Sequence, residues 1–340
     1  MTRQPTIEDV ARTAGVSKGL VSLALNGRPG VAQETRKRID AAVAELGWRP
    51  SANARGLATK RAYSLGFIVR RDPITFQADP FFASFLAGVE SVLAERDQVL
   101  VLSVVPDVER EFEAYRRLTS DRRVDGFLIT DLLQDDPRVR LVADLGQRAV
   151  TLGRPDSESP FPAIVRDYDA GIDELLTHLA ELGHRRVAHV AGDERMQHAT
   201  TRLTRHLEVA ARLGLQTIVE HTDFSPESGA AATHRLLDRS ERPTAIVYAN
   251  DPMAIAGIAV AHERGLTLPR DLSITGMDGS DTGRFVYPAL TTLDNDPVGW
   301  GRAAATALLS YIENGDGDDV TLPAAALILR SSTAPPGSPG

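Results

Sequence analysis

Lys18, Gly19, Ser22 and Leu23 share one side of the stretch SKGLVSLAL, residues 17–25. The other side carries Val21, Ala24 and Leu25, at the i, i+3, i+4 spacing of a helix packed on a core. The outward set has a chemistry of its own. A lysine ammonium can meet a guanine edge or a phosphate, and a leucine can pack its methyls on the 5-methyl of thymine. Glycine reads nothing but lets the backbone come close. On a helix in water an outward Leu23 is an ordinary exposed apolar residue; in a major groove it has a partner.

Catalysis finds no comparable set. There is no cysteine, hence no thiol nucleophile, disulfide or cysteine metal site. The eight histidines show no H-E-x-x-H spacing, and neither a Walker nor a G-x-G-x-x-G pattern occurs. No convergent acid/base pair can be assembled, and His184 beside Gly183 reads as helix-end structure. The expectation is a binding protein with no cofactor, no metal and no catalytic residue.

Charge points to the partner. Residues 1–61 hold eleven Lys/Arg against five acids, a net +6, so a chain of net charge −8 leaves −14 on the remainder. A basic head on an acidic body suggests that only the head meets a polyanion; a merely solvated charged face is the plain alternative. No apolar run is long enough to span a membrane, and the polar start MTRQPTIEDV lacks the character of a secretion signal, so a cytoplasmic location is expected.

Those residues need elements to hold them. Thr6 can cap a helix over IEDVARTAG, with Asp9 completing a capping box and Gly15 ending it. Ser17 caps the second helix, which Asn26–Gly27 terminates. A third helix runs from about Ala32 to Leu46 and stops at Gly47, supplying Ile39, Val43 and Leu46 to a small core with Val10, Val21, Ala24 and Leu25. Two short helices joined by a tight glycine turn, with a third behind, form a helix-turn-helix pattern. In RPSANARGLATKR, Ser51 can cap a further short helix across Ala52–Ala58, in which Gly56 costs about 1 kcal/mol relative to alanine.

From Ser64 the chain alternates apolar runs (SLGFIV, VLVLSV, VDGFLIT, RAVTLG, AIVRD, RVAHVAG, TIVEHT, TAIVYAN, LSITGMD) with amphipathic stretches. That order predicts parallel sheets with helices on both faces, in two lobes that break near Pro160–Ala163. Ligands of such sheets sit at the carboxyl ends of the strands. Asp278 closes one strand there, Asn250 and Asp251 follow another, and Phe81 and Phe82 open the first helix of lobe one. The tail SSTAPPGSPG is expected to be disordered.

The stretches TIEDVARTAGVS, VSLALNG, V-x-x-E-T-R-x-R-I and L-G-W-R-P-S-x-x-A-R-x-L resemble the head of LacI-type bacterial transcription regulators, and the body follows that family's motif order. The resemblance implies an N-terminal all-α helix-turn-helix head plus hinge helix, and an α/β periplasmic-binding-protein-like body of two doubly wound parallel-sheet lobes. Its boundaries would be 1–50 for the head and 51–61 for the hinge. Lobe one would take 62–162 and 293–323, lobe two 163–292 and 324–332, and the tail 333–340. It implies base contacts from Lys18, Gly19 and Leu23, with Thr6, Ser17, Ser22 and Asn26 completing the DNA-binding set. It also implies a hinge helix that folds on DNA, with Leu57 as a minor-groove wedge and Arg55 near phosphates.

For the effector it implies Arg202 and Phe224 beside Phe81, Phe82, Asn250, Asp251 and Asp278. The partners implied are a near-palindromic double-stranded operator, a carbohydrate-like small molecule and a second copy of the chain. The function implied is a ligand-controlled repressor. Departures from the family pattern at Gly153, Arg154, Arg166 and Arg205 lean toward a more polar or anionic ligand than a neutral sugar. A solute-binding protein of transport would share the body, but it needs a secretion signal and no basic head.

Overall fold

The computed structural model describes residues 5–25, 29–48, 56, 59 and 61–337. Residues 1–62 and 63–340 form two compact units. In the first, α1 (Ile7–Ala14), α2 (Lys18–Leu25) and α3 (Gln33–Leu46) are the three expected helices. The Thr6 hydroxyl accepts from the Asp9 amide at 3.4 Å, and the Asp9 carboxylate accepts from the Thr6 amide at 2.9 Å, so the capping box is present. Ser17 Oγ accepts from the Leu20 amide at 3.2 Å. Residues 15–19 spell G-x-S-x-G, but this serine joins two helices and caps the second; it does not sit on a strand-to-helix elbow.

Val10, Val21 and Ile39 are fully buried, with Ala24 beside them and Leu25, Val43 and Leu46 packed around the edge. Lys18 and Gly19 are exposed, Ser22 is half-buried, and Leu23 is 38% exposed. Asn26, Arg55 and Leu57 lie outside the described residues, as does all of the expected hinge helix except Gly56.

The second unit has two six-stranded sheets. The strands are β1 (Ser64–Arg70), β2 (Val99–Val105), β3 (Gly126–Ile129), β4 (Arg148–Leu152), β5 (Ala163–Arg166) and β6 (Arg186–Ala191). They continue as β7 (Gln216–His221), β8 (Ala245–Tyr248), β9 (Ser273–Gly276), β10 (Thr291–Asp294), β11 (Val320–Leu322) and β12 (Ala326–Ile328). The orders are β11-β5-β4-β3-β1-β2 and β12-β10-β9-β8-β6-β7. All pairings are parallel except β12 on β10, an antiparallel edge in the second sheet.

Alternation along the strands builds the layers. Leu65, Phe67 and Val69 join helices Pro80–Ala94 and Pro297–Asn314 on one face of the first sheet, while Ile68 turns to Tyr115 and Leu118 on the other. In the second sheet, Ile246 and Tyr248 face Met253 and Ile258, while Ala245 and Val247 face Leu175 and Val209. Gly88 and Gly301 let the two long lobe-one helices touch: a Cβ would stand 2.2 Å from the Val298 carbonyl oxygen at the first, and 2.1 Å from that of Phe85 at the second.

Two boundaries differ from the sequence reading. Ala163–Arg166 pairs in parallel with β4 and β11, so it belongs to the first lobe and not the second. The Pro- and Ser-rich stretch before it joins two neighbouring strands of one sheet, and composition alone cannot distinguish that from a linker. The tail through Gly337 is tied down, contrary to the expected disorder. Ala334 N donates to Ser273 Oγ at 3.1 Å, and Gly337 N to the Arg270 carbonyl at 3.0 Å. Backbone groups held to the lobe need no apolar side chains to order them.

Candidate functional site

The carboxyl ends of both sheets face a cavity of about 320 Å³. Phe81, Phe82, Arg202, Phe224, Asn250 and Asp278 line it, so the structure brings six of the seven expected effector residues together. Asp251 is the exception. It is fully buried behind Asp278, where its carboxylate accepts from the Thr292 hydroxyl at 2.6 Å and from the Ser280 amide at 2.8 Å. The first residue of a helix aims its side chain according to the loop it caps, which sequence order does not specify.

Phe224 adopts φ +69°, in the left-handed region, and its ring covers Gly192. A Cβ on Gly192 would lie 1.9 Å from that ring, so only glycine leaves room. His198 stacks on Phe224 at 5.4 Å, and the Arg71 guanidinium stands 5.6 Å from the same ring and 5.2 Å from Phe82. Arg71 thus spans an aromatic ring from each lobe. Its Nε donates to Asp131 at 2.8 Å, and Asp79 lies 3.8 Å away. The Gln197 backbone N–H donates to the Leu132 carbonyl at 2.8 Å, closing a second contact across the cleft.

Burial sets the electrostatics. It pushes the Asp79 carboxyl up to about 6, against the pull of Arg71. It acts to raise Asp131 as well, but Arg71 prevails and holds that carboxylate below its ordinary range. Asp278 is held well above its ordinary value by burial and by the neighbouring charges of Asp251 and Asp79. Burial, then the charge of Arg202, pushes His198 down to about 3.

A second group links the walls through one amide. Tyr168 and Trp300 both donate to Asn295 Oδ1, Trp300 Nε1 at 3.1 Å. The Arg202 guanidinium lies 4.1 Å over the Tyr168 ring, and that of Arg166 lies 5.9 Å from the Trp300 ring. Sequence reasoning did not pick out Arg71, Asp79, Asp131, Tyr168, His198, Asn295 or Trp300. Two of them carried a usable signal: Arg71 follows β1 and Asp131 follows β3, the same strand-end position that selected Asn250 and Asp278. Of the departures, Arg205 turns away to Asp173 at 2.7 Å, whereas Gly153, Arg154 and Arg166 line the cavity.

In the head, Lys18 Nζ meets Glu8 at 3.1 Å as an exposed pair, which adds little stability and leaves the lysine available to other partners. Among the described residues no group of His, Asp and Glu side chains could hold a metal ion, and no helix is long and apolar enough to cross a membrane.

Residues 6–51 match the bacterial regulatory proteins of the lacI family, and residues 176–333 match a periplasmic binding protein-like domain. The HTH-type transcriptional regulator CelR of Thermobifida fusca is 32% identical over 94% of this chain and 95% of its own length. Catabolite control protein A of Priestia megaterium is 30% identical over 94% and 96%. Among solved structures, the lac repressor dimer bound to operator and the anti-inducer ONPF superposes with a TM-score of 0.84 at 28% identity, covering 98% of this chain and all of that one. A CelR–cellobiose complex gives 0.73 at 30% identity, covering 96% and 99%. With head, cleft and near-full-length relatives in agreement, this chain belongs to the LacI family and is a transcriptional regulator.

Proposed function

We propose that the chain works as a homodimeric repressor that binds a near-palindromic operator through Lys18, Gly19, Ser22 and Leu23, with Thr6 and Ser17 shaping the helix ends. Its affinity for the operator is set by a carbohydrate-like effector, which it binds without turnover. The observation that carries the reading is the placement of Asp278, Asn250 and Arg202 in one aromatic-walled cavity at the carboxyl ends of two sheets. Polar groups that accept and donate at the edges of stacked rings suit a hydroxyl-rich ligand with apolar faces.

The chain passes between the lobes near 166–169, 294–297 and 322–326, so a ligand touching both lobes biases the angle between them. The coupling equals the difference in ligand affinity between the two arrangements, and it runs in both directions. Two-fold pairing of heads would present α2 to two half-sites about 34 Å apart. CelR, whose structure holds cellobiose, is the relative that bears on the ligand class.

The test is selection of bound sequences from a random duplex pool, with and without sugars, followed by affinity measurements on the selected site. The reading expects a symmetric site, an affinity loss of about 10³–10⁵-fold between about 50 and 200 mM salt, and a sugar-dependent shift. Absence of duplex binding at low salt under every ligand condition overturns it.

A further inference from the structure

Four arginines face the cavity: Arg71, Arg154, Arg166 and Arg202. Arg71 is matched by Asp131 and Asp79, and Arg154 by Asp319 at 2.6 Å. The other two have no carboxylate within hydrogen-bonding distance. Arg166 has a side chain only 3% exposed, and its closest carboxylate, Asp296, stands 3.7 Å away, beyond hydrogen-bonding distance. Its Nε and Nη2 are buried with no hydrogen-bond partner, and so is Nε of Arg202, a residue 9% exposed. A buried guanidinium with idle N–H groups is costly, and such groups ordinarily have a partner.

The two arginines are also held in place. Arg166 lies by Trp300 and Arg202 over Tyr168, and both rings are fixed by the same Asn295 oxygen. Stacking orients a guanidinium while leaving its edge free to donate in plane. The geometry points to an oxyanion on the effector, held between Arg166 and Arg202, so that the ligand is an acidic or phosphorylated sugar and not a neutral one. Of the three acids that line the same cavity, Asp79 and Asp131 lie against Arg71, and burial with the neighbouring acids favours the protonated form of Asp278.

This inference rests on the carbohydrate-binding reading above and narrows it. Its test uses the full chain and calorimetric titration with matched sets: glucose, glucuronate and glucose 6-phosphate; galactose, galacturonate and galactose 6-phosphate; cellobiose and cellobionate. An anionic member should bind at least about tenfold tighter than its neutral parent, and whether the carboxylate or the phosphate series does so identifies the oxyanion. Arg166→Gln should erase that preference while leaving the melting temperature of the unliganded protein unchanged or higher, because buried N–H groups without a hydrogen-bond partner have gone.

A neutral parent that binds as tightly as its anionic forms overturns the inference and leaves the sugar-binding reading intact. Failure of every sugar, charged or neutral, removes both. Retention of the preference in Arg166→Gln, together with a lowered melting temperature, assigns Arg166 a structural role and also overturns the inference.

Discussion

Asp251 and Asp278 hold each other through their backbones. The Asp251 amide donates to Asp278 Oδ2 at 2.8 Å, and the Asp278 amide donates back to Asp251 Oδ1 at 3.3 Å. Two buried carboxylates are thereby locked into different tasks. Asp278 faces the cavity, and Asp251 gathers the amides of Asp278 and Ser280 and the hydroxyl of Thr292 in β10.

Asp251→Ala should therefore damage the fold before the ligand site. It strands the half-buried Ser280 amide and the buried Thr292 hydroxyl, which each lose their carboxylate partner. The expected cost is about 3 kcal/mol, read as a lower urea midpoint with an unchanged slope. A variant as stable as the parent would mean that water or the Asp278 carboxylate satisfies the loop equally well.

Asp278→Asn should change how stability depends on pH. The folded carboxyl is held above its ordinary value of 3.8 by burial and by neighbouring acids, so between that value and the raised one the folded state carries more protons than the unfolded. Stability conferred by the bound proton is complete below the unfolded value and is lost as pH rises through the folded one. Asparagine keeps an acceptor for the Asp251 amide and does not titrate. The variant should gain on the parent as pH rises above the ordinary value of 3.8, measured by denaturant unfolding at each pH. Parallel pH curves for the two proteins would argue that Asp278 ionises normally.

Acid sensitivity should come from a different pair. His189 and His206 stack at 4.5 Å in the interior, where burial pushes His189 down to about 4 and holds His206 well below its ordinary range. These depressed values contribute stability that is present above about pH 6.5 and lost as pH falls toward the folded values, because only the unfolded chain then takes up protons. His206 Nε2 has no hydrogen-bond partner. His206→Leu is expected to be no less stable at neutral pH and to lose less stability on acidification. Superimposable acid-unfolding curves would exclude this pair as the source.

The head offers a contrast between two apolar residues. Ile39→Ala, in the buried core of α3, should cost about 2–5 kcal/mol of head stability and abolish operator binding through unfolding. Leu23→Ala should leave the melting transition in place and relax the preference for thymine at one half-site position by about 1 kcal/mol. Lys18→Gln should reduce the slope of log affinity against log salt by about one. An operator preference unmoved by Leu23→Ala would remove the leucine from the interface.

Most of the head was legible because its signals are local. A threonine three residues before an acid, glycines after the last helical turn, and apolar residues at helical spacing act within one or two turns, and the structure reproduces each of them at Thr6, Gly15, Gly47 and Val21. The strands were legible for a similar reason, since short apolar runs between helical stretches have few other uses. Strand β10 and the edge strands β11 and β12 were not. The TTLD run of β10 carries one apolar residue, and β11 and β12, three residues each and half-exposed, exist because a sheet edge accepts them.

The sequence by itself therefore determined the helices of the head and nine of the twelve strands, where charge collects, and which strand ends could carry ligand-binding groups, because propensity, capping and periodicity act between near neighbours. Only the tertiary structure decided that Ala163–Arg166 joins the first sheet, that the Pro-rich tail is pinned to Ser273 and Arg270, and that Asp251 turns inward while Asp278 meets the cavity. It alone brought Tyr168 and Trp300 onto the Asn295 amide oxygen and set Arg202 and Arg166 against their rings. Those arrangements depend on contacts between residues up to more than a hundred positions apart, and no local preference encodes which distant partner a buried polar group will find.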